Sequence, residues 1–314
     1  MPEITAEMVR VLREETGAGM MDCKRALTET NGNMEEARIA IRKKGQDKAV
    51  SKQGRTASEG IVEAFTSEPG DVGVLIELNC ETDFVARGDA FRNLAAELVR
   101  IIAAAPSAGG YSSLEALLSA PAAAGSAQTV QEMIIQAATP IGEKVALTRF
   151  ERYDVGSESQ AVGTYIHRTD FKTGVIVEVA AETPVTDGEA LETLAREVAL
   201  HIAAAKPEFV TREDVPAHLI EQERDIAIAK MNADPKFEGK PETAKTAMIE
   251  GQIRKYLEQS VLLDQPFVRD SSGKQRISHL VAEAAKKVGV GLKIVRFARY
   301  RVGETQAAEG ADAS

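Results

Sequence analysis

Asn79-Cys-Glu-Thr-Asp-Phe-Val-Ala-Arg87 is the stretch on which the reading of the fold depends. Before it, Gly73 to Leu78 is a short run of β-formers entered through Asp71 and Gly73, which predicts a strand fed by a hairpin. After it, Ala90 to Ala104 carries apolar residues at helical spacing. The nonapeptide therefore joins a strand to a helix. Such a junction holds a few side chains at the edge of a rigid sheet, beside the unpaired N–H groups of a helix start. Phe84 has two readings here: it tucks into the core while Asp83 caps the helix, or it stands out as an anchor for a partner with the Asp83 charge beside it.

An internal repeat bears on the choice. Val74 to Leu78 followed by Glu81-Thr82 matches Val175 to Val179 followed by Glu182-Thr183 at an offset of 101 residues. Gly88-Asp89-Ala90, Leu94, Glu97 and Ile102 to Ala105 match Gly188-Glu189-Ala190, Leu194, Glu197 and Ile202 to Ala205 at an offset of 100. The core thus reads as two related strand, strand, helix units. The register slips between Thr82 and Gly88, where the first copy has five residues, Asp83 to Arg87, and the second has four, Pro184 to Asp187. A scaffold that closes with the shorter loop does not need Asp-Phe-Val-Ala-Arg for folding, so its aromatic is assigned to an interface.

Bulk properties narrow the class. At 314 residues and 44% hydrophobic composition the chain supports two or three folded units. With no Trp and 4% aromatic residues its core is aliphatic and Ala-rich. A net charge of −10 argues against a nucleic-acid partner, because neutralising phosphates needs a basic face. Met1 to Val11 has no apolar signal-like run, and no segment approaches the roughly 20 apolar residues of a membrane span. Two cysteines, Cys23 and Cys80, make no disulfide framework. A soluble cytoplasmic protein with reduced thiols is expected.

Along the chain, residues 4 to 45 read as three short helices, with Thr5 as N-cap, Val9 stapled to Ile4, breaks at Gly17-Ala18-Gly19 and Asn31-Gly32-Asn33, and a stop at Gly45. Met20 and Met21 are adjacent on a helix start and face about 100° apart, so at least one is partly exposed. Residues 46 to 58 read as a polar linker. The first core unit spans 59 to 143, with an Ala, Gly, Ser and Pro-rich surface excursion over 103 to 127. The second spans 144 to 215, with strands at 145–153, 161–168 and 174–180. Residues 216 to 263 read as an antiparallel helical hairpin, its seam at Ile249, Ile253, Tyr256, Ser260 and Leu263 on one helix and Leu219, Ile226 and Ala229 on the other. Residues 264 to 302 add a helix and a strand, the strand read as a solvated sheet edge bearing Lys293, Arg296, Arg299 and Arg301, and 303 to 314 form a disordered tail. The fold class is α+β: a small three-helix domain, a duplicated core with antiparallel sheets, and an inserted hairpin.

Thr16-Gly-Ala-Gly-Met-Met-Asp-Cys-Lys-Arg-Ala-Leu27 and Asn79 to Arg87 closely resemble the bacterial elongation factor Ts family. Tyr165-Ile-His167, Lys206-Pro-Glu-Phe209, Gly239-Lys-Pro-Glu242 and Leu262-Leu-Asp-Gln-Pro-Phe-Val268 extend the resemblance over nearly the whole chain, in order. It implies a UBA-like first domain and a guanine-nucleotide exchange factor for the GTPase elongation factor Tu, with no cofactor. It further implies that Asp83 and Phe84, flanked by Thr82 and Val85, enter between helices of the GTPase domain and disturb its Mg²⁺ site. Burying Phe84 contributes roughly 2 to 3 kcal/mol, gained fully only in the displaced conformation. By the same carry-over Arg13, Met20, Met21 and Lys24 contact the GTPase domain, Ile141, Gly142 and His167 contact it from the core, and Val268 and Arg269 add a C-terminal contact. Arg269 departs from the apolar residue expected there. The hairpin is the element through which a homodimer or a two-to-two complex would form. Thr169-Asp170-Phe171 repeats Thr82-Asp83-Phe84 but lies in a hairpin turn, where the family has a glycine-rich turn, so the interface role goes to the first copy.

Two other classes stay in view. An enzyme would use Cys80 as nucleophile with His167 or His201 as base, but the neighbourhood is acidic and disfavours the thiolate. The four histidines, His167, His201, His218 and His279, have no metal-ligand spacing, and no Gly-x-x-x-x-Gly-Lys-Ser/Thr loop is present. A nucleic-acid or ribosome binder would use the first helices and the basic 46–58 segment, and its binding would weaken with salt.

Overall fold

The computed structural model describes residues 4–52, 54–68, 70–105, 110–155, 159–185, 188–237 and 240–304. Three helices come first: α1 (Ala6–Thr16), α2 (Met20–Glu29) and α3 (Met34–Lys52). Strands β1 (Glu59–Thr66) and β2 (Val72–Cys80) follow, then α4 (Asp83–Ala86), α5 (Asp89–Ala103), α6 (Leu114–Ser119), α7 (Val130–Ile141) and β3 (Val145–Asp154). After them come β4 (Gln160–Ile166), β5 (Thr173–Ala181), α8 (Gly188–Ala205), α9 (Ala217–Ala233), α10 (Glu242–Ser260), α11 (Ile277–Val288) and β6 (Leu292–Arg301). The mixture is α+β, and both sheets are antiparallel.

Local chemistry sets the helix ends. The Thr5 hydroxyl accepts the Met8 N–H at 3.2 Å, and Gly17, at φ 65°, closes α1. Asn33 Oδ1 accepts from the N–H groups of Glu35 and Glu36 and starts α3. Val9, Leu12, Cys23, Leu27, Ala37 and Ile41 form the small core of these helices. The expected stop at Gly45 does not occur: α3 runs on to Lys52, so half of the expected linker is helical. Gly45 is there for packing. A Cβ at this buried residue would lie 2.9 Å from Thr139 Oγ1 of α7, and close approach of the two helices offsets the cost of a helical glycine.

The duplication is larger than the sequence offset suggests. The strand at 145–153, expected in the second unit, pairs instead with β2 as the third strand of the first sheet, whose order is β1-β2-β3. The second sheet has the order β4-β5-β6, its third strand arriving only after the hairpin. Arg149-Phe-Glu-Arg-Tyr153 of β3 recurs as Arg296-Phe-Ala-Arg-Tyr300 of β6, 147 residues on, a match that the 100-residue period hides. The insertions between second and third strands differ in length, which breaks the period.

The two sheets face each other across Val62, Leu75, Tyr153, Val162, Ile176 and Tyr300. Gly73 leaves room for Val162, and Gly174, its counterpart, leaves room for Val62; a Cβ at either would overlap the facing valine. Helices α5 and α7 cover the outer side of the first sheet, packing Phe91, Leu98, Ile102 and Ile134 on Ile76 and Leu78. On the outer side of the second sheet, α8 and α11 pack Leu194, Val198, Ile202 and Val281 on Val175, Val177 and Val179. Since β2 and β5 are buried on both faces, they read as largely apolar runs, each carrying one glutamate. Those glutamates are answered across the ladder: Glu77 by Arg149 and Glu178 by Arg296, each at 2.7 Å. Each arginine also lies over a tyrosine of the other sheet, Arg149 over Tyr300 at 3.9 Å and Arg296 over Tyr153 at 4.1 Å.

Two lesser expectations change. The strand β6 is a sheet edge, but Arg296 is engaged as above and Arg299 is mostly buried and paired with Glu304, so the strand is less solvated than its charge implies. In the hairpin, Ile253 and Ser260 lie buried in the expected seam, whereas on α9 the buried residue is Ala227 and Ala229 is exposed. Of the expected tail, residues 305–314 lie outside the described residues.

Candidate functional site

Strand β2 ends at Cys80, and Thr82 turns the chain into α4, a single helical turn separate from the long helix behind it. Thr82, in extended conformation, is the N-cap, and its hydroxyl accepts the Val85 N–H at 3.4 Å. Gly88 then resets the backbone and starts α5. A four-residue helix shows its sides unequally. Ala86 is buried and Val85 packs partly onto the first-sheet core, which leaves Asp83 and Phe84 outward. Phe84 is 86% exposed, and Asp83 pairs with Arg87 at 3.2 Å. Of the two readings of Phe84, the exposed one describes the structure, and Thr82 rather than Asp83 is the cap.

The turn is held from outside itself. Both oxygens of Glu143 accept from Thr82, Oε2 from the N–H at 3.0 Å and Oε1 from the hydroxyl at 2.8 Å. Glu81 accepts the Lys144 N–H at 2.7 Å and pairs with Arg55 at 3.3 Å. Lys52 Nζ donates to the carbonyl of Gly142 at 2.6 Å, and Lys144 Nζ to that of Arg55 at 2.8 Å. Residues 142–144 therefore tie together the end of α3, the end of α7 and the turn that carries Phe84.

Several of the positions singled out in the sequence lie at or near this loop. Ile141 is half-buried and Gly142, at φ 80°, is exposed at the end of α7. Gly17, in the loop before Met20, packs against Pro140 of the same helix end. Met20 and Met21 are 58% and 69% exposed, and Arg13 and Lys24 are exposed on the same two helices. A chain of contacts thus runs from the α1–α2 loop through Pro140, Gly142 and Glu143 to Thr82.

On the other side of α4 lies the second Thr-Asp-Phe. A cavity of about 200 Å³ is lined by Asp83, Arg87 and Arg92 on one side and by Thr169, Asp170 and Lys172 on the other. The two copies of the tripeptide, separate in sequence, thus face one cavity. Their side chains differ in use: Phe171 adopts φ 57°, is half-buried, and lies under the Arg92 guanidinium at 4.4 Å. Asp170 Oδ1 sits 2.8 Å from His167 Nδ1 and accepts the Lys172 N–H at 3.1 Å. His167 is exposed beside this turn. Neither Arg92 nor Glu143 was among the residues singled out in the sequence; Glu143, two residues beyond Ile141, carries no signal apart from its place next to a helix-ending glycine.

Val268 and Arg269 belong to a different neighbourhood. The Val268 N–H donates to His201 Nδ1 at 3.3 Å, and Arg269 pairs with Glu197 at 2.6 Å, both on α8. Their polar contacts are thus with α8 and not with α4.

The thiol of Cys80 is buried and donates to the carbonyl of Thr82 at 3.1 Å. Burial, reinforced by the charge of Glu143, pushes its pKa up to about 12, opposite to what a nucleophile needs. His201, the other half of that reading, is buried against α8's partners with its pKa lowered by burial and its Nε2 bonded to Gln265 at 2.9 Å. No described helix is long and apolar enough to cross a membrane.

The family model described as elongation factor TS matches residues 81–304. The protein named Elongation factor Ts of Symbiobacterium thermophilum is 45% identical over 305 residues, covering 97% of this chain and 93% of the relative. Those of Nostoc punctiforme and Arthrobacter sp. are each 40% identical over 307 residues, covering 97% and 96% of this chain and 94% and 100% of the relatives. With a match of this extent at both levels, the chain belongs to the elongation factor Ts family.

Proposed function

We propose that this translation elongation factor promotes guanine-nucleotide exchange on elongation factor Tu by inserting Phe84 and Asp83 between helices of the GTPase domain, near its Mg²⁺ and phosphate site. The observation that supports it most is a fully presented aromatic ring on a turn that other elements hold in place. Exchange needs no covalent chemistry. The factor has to bind the nucleotide-free GTPase better than the loaded form, and linkage then requires that it weaken nucleotide affinity by the same factor. An exposed ring suits that task because its burial is gained only in the complex, and a turn already held through Thr82 loses little further backbone freedom on docking.

In this reading Thr82 and Val85 flank the inserted pair. Arg13, Met20, Met21 and Lys24 contact the GTPase domain from the first helices, with the methionines as adaptable apolar contacts. Ile141, Gly142 and His167 add contacts on either side of α4, and Val268 and Arg269 supply a separate, more distant contact. The test is release of labelled GDP from purified elongation factor Tu, with complex formation followed separately. Wild type speeds release, whereas Asp83→Ala/Phe84→Ala still binds and releases slowly. A wild type that binds without speeding release would be a holding partner, and that result overturns the proposal.

A further inference from the structure

We propose that Glu143 is the positioning residue of the exchange step: its carboxylate holds Thr82 and thereby fixes the direction in which α4 presents Phe84. The inference rests on the exchange reading above in taking Phe84 as the inserted group.

A helix of one turn has too few internal hydrogen bonds to order itself. In α4 the cap contact is also weak, since the Val85 N–H lies 3.4 Å from Thr82 Oγ1, at the long end of the useful range. What Thr82 has instead is Glu143, bound through both carboxylate oxygens at 3.0 and 2.8 Å. Hydrogen bonds to a carboxylate are stronger than neutral ones, and two at once fix orientation as well as distance. Gly142 makes the geometry available: its left-handed backbone at φ 80° ends α7 and turns the next residue back toward the end of β2. Glu143 is itself held, because the Lys144 N–H is taken by Glu81 and the Gly142 carbonyl by Lys52. The ring of Phe84 is therefore referenced to α7 and to the end of α3, the helix that packs the Met20–Met21 domain onto α7. Without the carboxylate, Thr82 turns to water, the ring samples more directions, and the fraction poised for insertion falls.

The first arm of the test needs no partner. The chain contains no Trp, so Phe84→Trp creates a single tryptophan at the site, excited selectively at wavelengths beyond the absorption of the five tyrosines. In that background Glu143→Ala lowers the residual fluorescence anisotropy, whereas Glu143→Gln, whose amide offers one acceptor and one donor to Thr82, retains it. Thr82→Val, which keeps the Glu143 charge but loses the hydroxyl, gives a loss like that of Glu143→Ala, and the melting temperature is followed for every variant. The second arm measures stimulated GDP release. Glu143→Ala lowers the maximal rate about tenfold, the scale of one charge-assisted hydrogen bond, Glu143→Gln restores most of it, and in a Phe84→Ala background Glu143→Ala has no further effect. Unchanged anisotropy in Glu143→Ala overturns the proposal, and so does an equal loss of rate with and without the ring, which would mark a general structural role. If the wild type does not stimulate release, the exchange reading falls while the anisotropy arm still decides whether Glu143 orders the ring.

Discussion

Phe84 and Cys80 sit four residues apart and are opposites in environment. The ring meets solvent, so Phe84→Ala leaves the fold intact, with a melting temperature within about 2 °C of wild type, as for most surface substitutions. Under the proposed exchange mechanism its cost falls on GDP release: losing about 2 kcal/mol of burial in the complex is expected to lower stimulated release by about 30-fold. A fall in melting temperature of comparable weight would instead mean that the ring has a folding role. The Cys80 thiol, buried and pushed up to about 12, stays protonated at pH 8 and reacts slowly with iodoacetamide in the native protein. Mass spectrometry after timed alkylation should find Cys80 labelled only once denaturant is added.

At the scale of elements, the end of α7 is where the first domain meets the core. Thr139 faces Gly45, Pro140 faces Gly17, and Gly142 accepts from Lys52. Gly45→Leu places a branched side chain where a Cβ alone is already at 2.9 Å from Thr139 Oγ1, so α3 has to move off α7. The three helices have their own small core, and the expected outcome is a larger radius of gyration by small-angle scattering with the main melting transition retained. An unchanged radius would show that α3 absorbs the side chain without undocking. Breakers and polar residues marked out three helices followed by a polar stretch, but not that α3 passes through Gly45 and on to Lys52. A glycine used for close approach has the same letter as one used to stop a helix.

For the whole molecule, the paired sheets set the stability. Gly73→Ala and Gly174→Ala each force a methyl into the facing valine and should cost about 1–3 kcal/mol, with similar losses at the two related positions. Thermal unfolding of the two variants checks both the size and the likeness. Alkaline pH acts on the same interior. The thiol of Cys80 is raised from 9.0 to about 12, and burial, with the Glu151 charge, raises the phenols of Tyr153 and Tyr300 as well. Groups that ionise readily in the unfolded chain but not in the folded one favour unfolding above their unfolded pKa. The melting temperature therefore falls as pH rises from about 9 toward 12, and this contribution is fully present below pH 9. A flat melting temperature over that window would contradict the burial of these three groups.

Taken by itself, the sequence determined most of the local elements, though neither the length of α3 nor the separate turn α4, and the first half of the duplication. The cap at Thr5, the apolar runs of β2 and β5, and the shorter loop of the second copy all follow from spacing and from residue types that act within a few positions. The shorter loop also pointed to Phe84 as a residue the fold does not require. Only the tertiary structure decided the membership of β3, because strand pairing is non-local and the repeated Arg-Phe-x-Arg-Tyr is displaced by insertions of unequal length. It alone decided that Glu143 holds Thr82 and that the two Thr-Asp-Phe copies face one cavity, since each contact joins residues more than 60 positions apart. Short-range chemistry can be read along the chain; which distant residues close a turn depends on how the layers pack.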